Sequence, residues 1–321
     1  MERLKPKISI IGAGNVGMRY AYAAMIRGLA REMVIVDIDR RRLEGDVMDL
    51  SHCAPFVHPV RVVAGEYPDI ADSDIVVITA GKNQLPGQSR MELVKGNVEL
   101  YRSIIPRVMK YAPDSIFLIV TNPVDVLAYA AYKFSGKNPA KVMSSGTVLD
   151  SARFRYLLSD HCGVDASNVH AYILGEHGDS EFPVWSKAMV GGVLFSEYCA
   201  FCGKSGCRPQ EELHNIFEEV RTSAYKIIER KHETSYGIGL ALARITQAIV
   251  DDENHILPVS TLMTGYLGVN DVFLSLPSIV NRSGVAKTLG IALDGEEQAA
   301  FRKSAEAVGG AIREAGLYGT A

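Results

Sequence analysis

No apolar run in this chain approaches the roughly 18 residues that a membrane-spanning helix requires, so no spanning segment is expected. Runs of basic residues are absent as well, and a net charge of −3 over 321 residues offers no footprint for nucleic acid. The opening residues, Met1 to Lys7, lack the hydrophobic region of a secretory signal, and a cytoplasmic location is the expectation. Cysteine is scarce. There are five, an odd number, and without signs of export they are expected to be reduced. Cys199, Cys202 and Cys207 cluster, with His214 a conceivable fourth ligand, but the spacing is not a common structural zinc arrangement. Free thiols and no metal are expected there. What the chain does have is bulk: 47% of its residues are apolar, enough for a substantial core and for two domains of ordinary size.

Lys7 to Ile11 is a short β-branched run ending at Gly12-Ala13-Gly14-Asn15-Val16-Gly17. Helix-like spacing of Val16, Ala21, Ala24, Met25 and Leu29 follows, then a second strand, Met33 to Val36, ending in Asp37. This order of strand, glycine turn, helix, strand and acid is that of a dinucleotide-binding unit. Gly12 permits the tight turn, Gly14 lets the backbone approach a pyrophosphate, and Gly17 lets the helix sit close to its strand. Phosphates favour the N-terminus of the helix, where free N–H groups point outward. Asp37 suits ribose hydroxyls and disfavours a 2′-phosphate, which predicts NAD as cofactor rather than its phosphorylated relative.

Strands are predicted at 61–64, 74–79, 115–120 and 141–143, alternating with helices at 43–53, 93–109 and, after the stretch Thr121 to Asp125, through Ala131. Alternation of this kind predicts an α/β fold: an N-terminal Rossmann doubly wound parallel sheet, with a mixed α+β substrate domain following. The expected boundaries are 1–146 for the NAD-binding domain and 147–321 for the catalytic one. Ligands in such sheets bind at the carboxyl ends of the strands, which lines up Gly12, Asp37, Gly81, Asn122 and Ser145 along one edge. The segment 81–90, with two glycines and a proline, reads as a polar flap at that edge.

The second half carries Gly175-Glu176-His177-Gly178-Asp179, one imidazole among glycines after an apolar run from Val169 to Leu174. Histidine transfers protons near neutral pH. The other seven histidines (His52, His58, His161, His170, His214, His232 and His255) carry no comparable context and read as surface or satisfied core residues. Asp150 and Arg153, three apart on a predicted helix of residues 149–158, share a face, whereas Arg155 projects nearly opposite. An isolated ion pair there would be of little value, but a guanidinium fork is also suited to anchoring a carboxylate. Spacing alone does not say whether Asp150 meets His177.

These blocks together, Gly12–Gly17, Asp37, the flap ending in Arg90, Val120–Asp125, Gly146–Leu158 and Gly175–Trp185, resemble the NAD-dependent L-lactate and malate dehydrogenases over almost the whole chain. The resemblance implies that His177 exchanges a proton with the substrate oxygen, with Asp150 as its partner. It implies that Arg90 closes over the carbonyl, Arg153 binds the carboxylate and Asn122 bonds the reacting oxygen, with Asp125 also in the substrate site. Cofactor-lining positions implied are Gly12, Gly14, Val16, Gly17, Asp37, Arg42, Tyr67, Gly81, Lys82, Ser103, Val120, Thr121, Asn122 and Ser145.

Gln84 stands where the malate branch carries arginine. A second substrate carboxylate left unpaired in a closed site costs several kcal/mol, so glutamine points to pyruvate and L-lactate, although the Lys82 ammonium is near in sequence. Thr234 aligns with a threonine of the side-chain pocket, in a stretch where Lys231-His232-Glu233 departs from the glycine-containing pattern of many relatives. Arg155 and His170 match positions at which allosteric bacterial lactate dehydrogenases bind fructose 1,6-bisphosphate between subunits, which implies a homotetramer. The helix at 211–229 reads as structural. Rival readings are a malate dehydrogenase, a glycosidase using NAD and a divalent metal, and a non-catalytic NAD sensor; the sensor has no need of Arg90, Asp150, Arg153 and His177 together.

Overall fold

The structure, a computed structural model, describes residues 6–82, 90–197 and 209–318. Six strands of the first half, β1 (Lys7–Ile11), β2 (Glu32–Val36), β3 (Arg61–Ala64), β4 (Ile75–Ile78), β5 (Ile116–Ile119) and β6 (Val142–Ser144), pair in parallel. Their order is β3-β2-β1-β4-β5-β6, reversing direction between β1 and β4. The connecting helices are α1 (Asn15–Ile26), α2 (Arg40–His52), α3 (Arg90–Tyr111) and α4 (Val124–Ser135), and α5 (Val148–Cys162) leaves the sheet. The central strands are continuous β-branched runs because helices cover both of their faces. Successive residues of one strand go to opposite cores: Ile8 and Ile10 join the side covered by α1 and α2, Ile11 the side covered by α3 and α4.

Short strands follow: β7 (Val169–His170), β8 (Ile173–Leu174), β9 (Phe182–Pro183), β10 (Met189–Val190) and β11 (Val193–Leu194). The apolar run 169–174 is thus two strand pieces rather than one. After α6 (Pro209–Lys231) and α7 (Tyr236–Val250) come β12 (His255–Leu257), β13 (Ser260–Thr264), β14 (Asn270–Ser275), β15 (Ser278–Asn281) and β16 (Gly284–Thr288), and α8 (Gly295–Glu314). β13 pairs antiparallel with β6 and with β14, so the second half of the chain extends the first half's sheet to eight strands. α7 covers one face with α1, and α8 the other with α4. A third core lies around Phe154, Val169, Ile173 and Val220, joining α5 to α6. No helix among the described residues is long and apolar enough to cross a membrane.

Candidate active site

The reversal between β1 and β4 opens a crevice at the carboxyl ends of the strands, and the glycine turn sits in it. A Cβ on Gly17 would fall 2.1 Å from the carbonyl oxygen of Gly12. Only a glycine there lets α1 start so close to β1. A Cβ on Gly14 would meet nothing within 4 Å, so the turn has open space outside it, at the N-terminus of α1, where no side chain caps the free N–H groups. Asp37, at the end of β2, accepts from the N–H of Ala13 at 2.6 Å and of Asp39 at 2.9 Å. It braces the glycine turn as well as facing the crevice, and its oxygens keep further lone pairs. Open space, exposed helix N–H groups and a carboxylate one strand away fit a dinucleotide.

The other predicted cofactor positions are distributed along this edge. Val16 is in the first turn of α1, and Arg42 is exposed on α2 with its guanidinium 3.7 Å from Asp46. Tyr67 lies half-buried beneath the Arg107 guanidinium, 5.5 Å from the ring centre, and Ser103 is one turn before Arg107 on α3 with its hydroxyl on the Leu100 carbonyl. The peptide of Lys82 donates to Asn97 Oδ1 at 2.8 Å, and Asn97 donates in turn to the carbonyl of Asn122 at 3.1 Å. Thr121 donates to Ala80 at 2.7 Å, its methyl lying where a Cβ on Gly81 would be. Val120 and Ser145 are buried at the ends of β5 and β6, their N–H groups on Ile78 and Ile119. Gln84 and the side chain of Arg90 lie outside the described residues, as do Cys199, Cys202 and Cys207; Arg90 heads α3.

Across the crevice, α5 brings Asp150 to His177. Asp150 Oδ2 is 2.6 Å from His177 Nδ1, and Arg153 donates to the other oxygen, also at 2.6 Å. Asp150 is 2% exposed. Burial resists its ionisation, but His177 and Arg153 together hold it below the usual carboxylate range. The same burial works against a charge on His177, yet the Asp150 carboxylate overrides it, with Glu181 and Asp125 adding to the field wherever they are ionised, and the imidazole is carried up to about 9. Asp125, at the start of α4, accepts from the backbone N–H of His177 at 2.8 Å and so fixes the loop from behind. Burial pushes the Asp125 carboxyl up to about 6, with the Ser260 hydroxyl and the His177 N–H pulling it back. Its second oxygen and Ser260 Oγ do not reach the geometry of a formed hydrogen bond.

The loop itself is held from the other side by α8. Gly175 has φ +89°, which a side chain resists, and a Cβ there would also fall 2.4 Å from Ser304 Oγ. Ser304 donates to the carbonyl of Ser180 at 2.5 Å, and the Ser180 hydroxyl donates to Glu176. The bridge between Gly175 and Ser275 ties the loop's start to β14.

His177, Asp150, Arg153 and Asn122 line a cavity of about 330 Å³. Its opposite wall comes from α6, through Val220, Arg221, Ala224, Tyr225 and Ile228. The reading of this helix as merely structural is therefore corrected: one end of its apolar face covers the third core, and the other faces the cavity. Amphipathic spacing reports a face but not what each part of it meets. Glu181 and Tyr225, the latter donating to Asp179 at 3.3 Å, were not singled out by sequence, for want of any local pattern around them. Thr234 is half-buried just before α7 and does not line this cavity. Arg155 points away, as its spacing requires, and donates to the carbonyls of Val169 at 2.7 Å and Ala166 at 3.1 Å, next to the exposed His170 on β7.

Two family models match the chain: the NAD-binding domain of lactate/malate dehydrogenase over residues 6–144, and the alpha/beta C-terminal domain of the same family over residues 147–315. The chain belongs to the lactate/malate dehydrogenase family, and it is an NAD-dependent dehydrogenase. It is 49% identical over 308 residues to the L-lactate dehydrogenase of Thermoanaerobacter pseudethanolicus, covering 96% of this chain and 98% of that one. It is likewise 49% identical to the L-lactate dehydrogenase of Acetivibrio thermocellus, over 93% of each chain. Among solved structures, a lactate dehydrogenase from a Medee basin deep-sea metagenome library superposes with a TM-score of 0.93 at 41% identity, covering 98% of this chain and 100% of that one. The minor L-lactate dehydrogenase of Enterococcus mundtii does so with a TM-score of 0.93 at 38% identity, covering 97% and 98%.

Proposed function

We propose that this enzyme is an L-lactate dehydrogenase, interconverting pyruvate and L-lactate with NADH as the hydride donor. The observation that carries it is the run Arg153–Asp150–His177 on one wall of a cavity at the cofactor edge, with both contacts at 2.6 Å. NAD, when bound, gives or takes the hydride. His177, orientated through Nδ1, presents Nε2 to the substrate oxygen and delivers a proton to it in reduction. Asp150 stabilises the imidazolium and fixes its tautomer. Arg153, with one N–H on Asp150, has the rest of its fork for the substrate carboxylate. Asn122 and, from the head of α3, Arg90 stabilise charge on the reacting oxygen.

Gln84 supports pyruvate over oxaloacetate, because no cation from that position meets a second carboxylate. The curated relatives named as L-lactate dehydrogenases over nearly the full length support the same choice. NADH oxidation followed with each acid tests it. Wild type is expected to prefer pyruvate, and Gln84→Arg to move kcat/KM toward oxaloacetate by 10-fold or more, about 1.4 kcal/mol. A wild type that already prefers oxaloacetate would end this reading.

The finer organisation belongs to the same proposal. A boundary between residues 146 and 147 separates an NAD-binding from a substrate-binding domain, although β13 and β14 return to the first domain's sheet. Cytoplasmic location and a homotetramer belong to it too; the exposed apolar residues Tyr22, Ile26, Tyr236 and Leu240 on neighbouring helices α1 and α7 support association between subunits. Arg155, which donates to the Val169 carbonyl, and His170, the next residue of the chain after Val169, are basic groups suited to a sugar phosphate such as fructose 1,6-bisphosphate. Pyruvate saturation curves should shift to lower half-saturation with the effector, and lose that response in His170→Ala. Identical curves with and without it would remove the effector from the proposal.

A further inference from the structure

Among the described residues, two acidic side chains on the cavity wall are left unused by the reaction above: Asp179, which is exposed, and Glu181, which is buried. Glu181 is 7% exposed, its N–H turns back onto the Gly178 carbonyl, and its carboxyl borders the cavity beside the dyad. One polar atom each of Asp150, His177 and Glu181 lie within 4.8 Å of one another. The groups that act on it come from several elements. Asp150 and Arg153 face it from α5, His177 and Glu176 from its own loop, and Arg221 and Tyr225 close the cavity from α6. Asp125 of α4 stands behind His177. Among the groups that act on Glu181 directly, the positive ones are His177 and Arg153.

Charge balance then decides its state. A protonated His177 and Arg153 supply two positive charges, and Asp150 supplies one negative. The carboxylate of a 2-oxo acid supplies the second. Asp125, ionised above about 6, and Arg90 in its role on the reacting oxygen add one charge of each sign, and Arg221 is paired with Glu218. That complex is therefore neutral only if Glu181 carries its proton; an ionised Glu181 leaves a surplus negative charge in a buried site. Burial and the neighbouring Asp150 push its carboxyl far above the usual carboxylate range, in the direction the balance requires.

We propose that Glu181 is a positioning residue that works as a neutral carboxylic acid, and that its ionisation expels the substrate carboxylate and so sets part of the alkaline limit of 2-oxo acid binding. This rests on the dehydrogenase reading of the same site. Two protons, one on His177 and one on Glu181, must then be in place for pyruvate to bind and react.

The test is the alkaline limb of kcat/KM for pyruvate in wild type and Glu181→Gln. Two required protons make the wild-type limb steepen toward a hundredfold loss per pH unit, about 2.7 kcal/mol, and the variant's toward tenfold. The lost steepness should come from KM, with kcat at neutral pH kept within a few-fold. Equal limbs in the two proteins, or a folded Glu181→Gln inactive at neutral pH, would overturn the proposal. The infrared spectrum of wild type is independent of turnover and of the variant's folding. At about pH 8 Asp125 is ionised, and a protonated-carboxyl band that disappears on further alkaline titration is expected from Glu181. Its absence would also overturn the proposal. If no 2-oxo acid is reduced at all, the dehydrogenase reading fails on that result, while the band still decides the protonation of Glu181.

Discussion

At the level of single residues, the chemistry depends on an imidazole held protonated in a place where burial alone would neutralise it. His177 reaches about 9 because a carboxylate lies 2.6 Å from Nδ1. The sign for activity follows. Pyruvate reduction needs the proton, so it is sustained below that value and falls as pH rises through about 9; lactate oxidation needs the neutral ring and gains over the same interval. Asp150→Asn keeps the shape but removes the charge and misorients the tautomer. Its reduction of pyruvate at neutral pH should fall by roughly 10²–10⁴-fold, and its alkaline limb should move down toward the ordinary histidine value of 6.5. Stopped-flow measurement of a single NADH turnover across pH would show both. A limb unmoved near 9 would mean that Asp150 is not what sustains the imidazolium.

Elements show why some of this was legible beforehand and some was not. The glycine turn with Asp37 is a local pattern, because its glycines and acid answer to a single strand–helix–strand unit, and it was read from spacing. His177, Asp150 and Arg153 were found as chemical types and through resemblance; that Asp150 meets His177 needed the fold, since the first turn of α5 is tied to β8, just ahead of the 175–181 loop, by Thr147 and Ser151, both bonded to the Ile173 carbonyl. Glu181 and the cavity side of α6 left no trace in periodicity. Nor did the return of β13 to β6, held by the single pairing Ser260 with Ser144, or the antiparallel trio β12-β15-β16. Pairings of high sequence separation are set by what the rest of the chain has already built, and a local window does not contain them.

For the molecule as a whole, the site is a cost in stability that depends on pH. Asp125 has its pKa raised from 3.8 to about 6, so the stability this group contributes is full below 3.8 and is lost as pH rises through 6; by neutral pH it is gone. His177 is raised from 6.5 to about 9, so its contribution is full below 6.5 and is lost as pH rises through 9. A shift of that size corresponds to about 3 kcal/mol, and with its side chain 26% exposed the group is buried enough for most of it to be felt. The enzyme should therefore lose stability as pH rises from neutrality through about 9. His177→Asn removes the titrating ring while keeping a donor for Asp150. Urea unfolding at intervals between about pH 7 and 10 should show the wild type losing roughly 2–3 kcal/mol that the variant does not lose. Curves that fall in parallel would place the alkaline weakness elsewhere. If they diverge, the proton that carries the reaction is also one that holds α5 against the 175–181 loop.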